Sequence, residues 1–204
     1  MSESENSLIH TLMLGMQRLS SLVYLNLLWL LGVLAGGIIL GIGPATLSLC
    51  AVLREQIWNQ RDIEVSSFFF KEYKRVWKES NRFIFLFYGI YLFLWIDFWA
   101  IIRFAPSIFI VFAFFTVLIF LVTCYYFLFY EVLNRPFWTK LKNSLLLPWL
   151  FPAQSLGIII TAGGFLLLLN QFPVVSVLFS VSAPFSVFFY MLRKKYWRNF
   201  RSIT

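Results

Sequence analysis

Three polar side chains in apolar surroundings, Asn26, Asp97 and Arg103, are where this sequence could do chemistry. Asp97 is the one carboxylate within an apolar run. An acid at helix depth costs a few kcal/mol unless it is paired, protonated or close to the headgroups. Arg103 follows six residues later, and at about 100° per residue it falls near the opposite helical face, so a direct pair within one helix is awkward. Asn26 needs partners inside hydrocarbon and is expected to bond across to a neighbouring helix; a substrate contact is the functional alternative. Asn26 and Asp97, together with Gln154, would make the polar path of a small transporter or channel. Catalysis has weaker support. His10 is the sole histidine and has no HExxH partner, and no GxSxG, P-loop or dinucleotide glycine motif occurs. Cys50 and Cys124 lack CxxC spacing and read as small core residues. The expectation is a protein that is not an enzyme and has no cofactor or metal.

The elements that must hold these residues are membrane helices. The chain has 204 residues, of which 60% are hydrophobic, 21% aromatic and 13% charged. Its mean hydropathy is +0.80. A soluble domain carries about 25% charged residues. The net charge of +8 is spread in short runs between apolar segments. That pattern points to orientation in the membrane and to anionic headgroups, not to nucleic acid.

The expected fold is all-α and polytopic, in a single membrane domain over residues 1–204. Residues 1–18 form a polar N-terminal segment without the marks of a signal peptide, so the first helix is expected to remain in the mature protein. Residues 19–60 form a helical hairpin. Its first arm, 19–40, is long enough to span and places Gly32 with Gly36 and Gly37 with Gly41 at GxxxG spacing, which suits close helix approach. Trp29 reads as an apolar packing residue. A Gly-Ile-Gly-Pro break follows, at Gly41, Gly43 and Pro44, and Pro44 is suited to open a short return helix.

Residues 61–82 read as a basic amphipathic helix on the cytoplasmic side. Phe69, Tyr73, Val76, Trp77 and Ser80 fall on one face, with Lys71, Lys74, Arg75 and Lys78 mainly between them. This surface fits either anionic lipid or a partner. Four transmembrane helices are then expected over 83–192: 83–102, 108–130, 144–169 with a small-residue stripe of Ala153, Gly157 and Thr161, and 174–192 kinked at Pro184. The loop 131–143 and the basic tail 193–204 flank them. In all, five clear spans are expected, plus the short return helix.

The order LNLLWLL at 25–31, IGPAT at 42–46 and AVLR ending at Arg54 resembles the YesL-like family of small bacterial membrane proteins of unknown function. FFKEYKRVWKES at 69–80 is similar to that family's aromatic and basic segment, with Tyr73 and Trp77 at its aromatic positions and Lys74 and Lys78 at its basic ones. The resemblance covers roughly the first half of the chain. Gly41 stands where the family usually has threonine, and Val76 where it usually has asparagine. The resemblance implies no catalytic residues. It implies a bacterial cell membrane protein associated with carbohydrate uptake, whose partner would be a subunit of an ABC-type importer.

Two readings follow. One is a non-enzymatic inner-membrane accessory or scaffold; the other is the small transporter with a polar path near Asn26 and Asp97. The first is favoured because the spans offer few groups to line a path. The chain does not read as an importer permease itself, since the polar loop 54–82 contains neither glycine nor proline. For topology, six helices with both termini inside are expected, and only Arg103 among the cations outside.

Overall fold

The computed structural model describes residues 3–104, 106–130, 136–172 and 178–192, with the side chains of residues 3–12, 14, 15 and 18 not described. The side chain of His10, residues 173–177 of the expected last span and the tail 193–204 therefore lie outside the described residues. Among the described residues every regular element is helical: α1 (Glu3–Ala35), α2 (Ile42–Ile57), α3 (Val65–Phe104), a 3-10 turn (Pro106–Ile108), α4 (Phe109–Phe129), α5 (Phe137–Leu150), α6 (Pro152–Gln171) and α7 (Ser182–Met191). Among the described residues, three segments are long and apolar enough to cross a membrane: Val65–Phe104, Pro106–Phe129 and Pro152–Gln171. The apolar part of α1, Leu19–Ala35, is shorter.

α2 is the centre of the molecule. It packs on α1, α3, α4 and α7, and from Gly43 to Leu53 every residue is buried. A helix that is apolar all round has no face to give to water, so it is enclosed. Its small residues, Gly43, Ala45, Ser48 and Ala51, let neighbours approach. Its hydroxyls do not seek water, because Thr46 Oγ1 donates to Ile42 O at 2.7 Å and Ser48 Oγ to Pro44 O at 2.8 Å. The return helix expected after the break is present, but it starts at Ile42 rather than Pro44. Pro44 falls within the first turn, where its missing N–H has no intrahelical partner to lose.

The first arm ends five residues sooner than expected, at Ala35, and residues 36–41 form the turn. Gly36 and Gly41 face each other there: a Cβ on Gly36 would run into Gly41 Cα, and one on Gly41 into Val33 O. The close approach that the GxxxG spacings promised is thus made by the hairpin with itself. Gly32 adds contact with Ala45, Phe69 and Tyr73, whereas Gly37 (φ +67°) faces open space. Trp29 is more than packing, since its indole N–H donates to Thr46 Oγ1 at 3.1 Å across the hairpin.

Four further boundaries differ from expectation. The amphipathic segment and the following span are one continuous 40-residue helix, α3, because 61–82 and 83–102 meet with neither glycine nor proline to break them. The expected loop 131–143 is helical from Phe137. The expected span 144–169 is broken at Phe151, where Pro152 cannot donate to the ladder of α5 and opens α6 instead. In the last segment the chain turns at Ser180 and Val181, ahead of Pro184, and α7 is 10 residues long.

Cys50 and Cys124 are free and buried in the core, as their apolar settings suggested. At the end of α2, Trp58 packs edge-on against Phe189 at 5.0 Å, and its indole N–H donates to Phe189 O at 2.9 Å, which ties the hairpin to α7.

Candidate functional site

The first half of α3 carries two opposed faces. Phe69, Glu72, Tyr73, Val76, Ser80 and Phe83 are buried against the rest of the fold. Lys71, Lys74, Arg75, Lys78 and Arg82 are exposed. The cations recur at i, i+3, i+4, i+7 and i+11, so they form a stripe down one side of the helix, about 16 Å long at 1.5 Å per residue. Arg75 Nε donates to Glu72 Oε2 at 2.8 Å. Tyr73, Lys74, Arg75, Trp77 and Lys78 line a shallow recess of about 300 Å³ on this surface. Salt screens such exposed cations, but Lys71, Lys74, Lys78 and Arg82 together on one rigid helix sum to a positive field that one lysine does not make, the charge of Arg75 being balanced by Glu72.

Behind the stripe lies an anchor that the sequence did not announce. Glu79 accepts from Tyr130 Oη at 2.7 Å and from Lys140 Nζ at 2.9 Å, and Lys140 Nζ also lies 3.7 Å from the centre of the Tyr130 ring. Lys140 is 7% exposed. A lysine buried to that degree needs a counter-charge, and Glu79 supplies it. Burial raises the Tyr130 phenol well above its ordinary range, and the bond donated to Glu79 raises it further, so Tyr130 stays a donor. This cluster fixes α5 and the end of α4 to α3 and holds the stripe's helix in place. Nothing in the local sequence pairs Glu79 with Lys140, 61 positions away.

The other expected site residues are separated. Asn26 is 1% exposed, and its Oδ1 accepts from the backbone N–H of Val181 at 3.3 Å and of Ser182 at 3.4 Å, with Ser180 Oγ at 3.5 Å. It therefore bonds across to another helix, as expected, by capping the start of α7. Asp97 is half-buried and Arg103 exposed near the far end of α3. Asp97 makes no hydrogen bond or ion pair among the described residues. Gln154, half-buried on α6, joins neither. Gly41, Gly43 and Pro44 act at the hairpin, where Gly43 lies against Ser80 and Ile84 of α3. No group of three His, Cys, Asp or Glu side chains that could hold a metal ion occurs among the described residues.

The hairpin and α3 up to Phe98 are also where likeness to other proteins lies. Residues 22–98 match a protein family described as "Protein of unknown function, DUF624". The chain is YesL-like over this stretch. It is 42% identical over 60 residues to "Uncharacterized protein YesL" of Bacillus subtilis (strain 168), covering 29% of each chain. It is 36% identical over 67 residues to "Uncharacterized protein YesV" of the same organism, covering 33% of this chain and 32% of that one. "Uncharacterized protein YteU", also of that organism, is 45% identical over 58 residues, covering 28% and 26%. The matched stretches thus span about a third or less of each relative. No solved structure matches the chain.

Proposed function

We propose that the protein is a non-enzymatic accessory or scaffold of the bacterial inner membrane, which binds a partner with an acidic surface through the cationic stripe of α3. The observation that carries this reading is the division of labour among polar groups. Asn26, Thr46, Ser48, Tyr73 and Glu79 are used up in holding helices together, while Lys71, Lys74, Lys78 and Arg82 are presented outward on a helix anchored from behind. Because α3 is continuous, the stripe runs along the same axis as the apolar span and leads away from it. A separate helix lying flat in the headgroups would have spent its cations on lipid. A solute path has less support, since Asn26 is engaged with α7 and Asp97 stands apart from it.

The resemblance to the YesL-like family makes a subunit of an ABC-type carbohydrate importer the first partner to test. The experiment is charge reversal of Lys71, Lys74, Arg75 and Lys78 to glutamate, followed by crosslinking and co-purification from native membranes. Capture of a defined partner by the wild type, lost in the variant at equal expression, is the expected result. Undiminished capture by the variant, or solute transport by the purified protein alone in liposomes, refutes the reading.

A further inference from the structure

We propose that the α1–α2 hairpin is re-entrant: its tip, residues 36–41, ends inside the hydrocarbon of the bilayer, against lipid acyl chains, and does not cross to the far surface. Tyr88 Oη donates to Ile39 O at 3.0 Å, which sets the tip beside Tyr88 of α3. The apolar run of α3, residues 83–102, is bracketed by Arg82 and Arg103. Tyr88 stands about 9 Å along the helix from Arg82 and about 22 Å short of Arg103. A hydrocarbon core is about 30 Å thick, so a tip at that level lies within it, on the Arg82 side. The α3–α4 turn at Pro106–Ile108 lies beyond Arg103, and the hairpin tip falls far short of it.

Irregular backbone at membrane depth must find its hydrogen bonds without water. Five of the six N–H groups of residues 36–41 bond within the hairpin: Gly36 to Gly32 O, Gly37 to Leu34 O, Ile38 to Val33 O, Ile39 to Gly37 O and Gly41 to Ile38 O, which Ile42 N–H shares. Two carbonyls receive tyrosine hydroxyls from α3: Gly32 O from Tyr73 at 2.7 Å and Ile39 O from Tyr88. The turn has no polar side chain. It points Ile38 and Ile39 outward, each 57% exposed, beside Leu40, and holds Ile38 at φ 66°, a left-handed backbone that a β-branched residue rarely adopts. A turn in water is built from Gly, Asn, Asp and Ser. This one is built for an apolar solvent, and acyl chains are the apolar solvent present at that depth.

The test is cysteine accessibility in cells, in a variant with Cys50 and Cys124 replaced by alanine. Single cysteines are placed at Ile39 and Leu40, with Ser107 and Asp62 as references for the two membrane faces. An impermeant maleimide is applied to intact cells and then to opened membranes. Each reference is expected to label from one side, whereas Ile39→Cys and Leu40→Cys stay unlabelled under both conditions. A spin label at either tip position should be relaxed more by oxygen than by a water-soluble nickel chelate. Labelling of the tip from the Ser107 side would show a full crossing, and labelling from the Asp62 side a tip in water; each overturns the proposal. Two tip positions are used so that one ill-folded variant does not decide the matter, and partner capture by the α3 stripe enters neither readout.

Discussion

The two halves of α3 live under different rules although they are one helix. From Phe69 to Phe87 one face is buried against the hairpin, α4 and α5, and the other carries cations. From Tyr88 to Phe104 hardly anything is enclosed: Leu92, Phe93, Trp95, Ile96, Trp99 and Ile102 are exposed. In the first half, specificity comes from fit and from paired polar groups, such as the face-to-face stack of Phe83 on Tyr126, 3.4 Å between centroids, and the Glu79 cluster. In the second half, composition suffices, because lipid accepts any apolar surface. The difference teaches where substitutions should matter.

The largest contrast is between glycines. Gly36→Ala should cost about 3 kcal/mol, since its Cβ would collide with backbone that cannot yield. Gly89→Ala, with nothing within 4 Å of its Cβ, should gain about 0.5 kcal/mol from the helix former. Thermal unfolding in micelles measures both, and equal effects would dissolve the distinction between the packed hairpin and the open second half of α3. Next comes Lys140→Met, which leaves the Glu79 carboxylate without its counter-charge and should cost about 2 kcal/mol, less than a fully buried pair because Glu79 is partly exposed. Adding Glu79→Gln should return part of that loss, and a double-mutant cycle without coupling would remove the anchor from the argument.

A smaller effect is expected for Asn26→Leu. It strips the acceptor from the Val181 and Ser182 N–H groups and should cost about 1.5 kcal/mol, with hydrogen exchange at the start of α7 rising first. Smallest is Asp97→Asn in the second half, within about 0.5 kcal/mol. If Asp97 serves a function, growth or partner capture will fall while unfolding stays the same; if neither changes, it is an ordinary polar residue near the end of a span.

Much of the helix order was legible in the chain, because apolar length and Pro-Gly breaks act locally. The hairpin, the return helix and the cationic face of 71–82 all follow from spacing. Boundaries were less legible. The turn at 36–41 was hidden because its residues are as apolar as the helix before it, and the join of 61–82 to 83–102 was missed because a change in polarity looks like an end although the backbone has no reason to stop. The Glu79–Lys140 pair and the landing place of Asn26 left no sequence signal at all. What the sequence by itself determined is therefore the membrane-like helical class and the two-faced start of α3, since hydropathy and helical period are properties of neighbouring residues. What only the tertiary structure decided is which polar groups are spent inside and how far along α3 the hairpin reaches, since these depend on residues tens of positions apart meeting at one level of the fold.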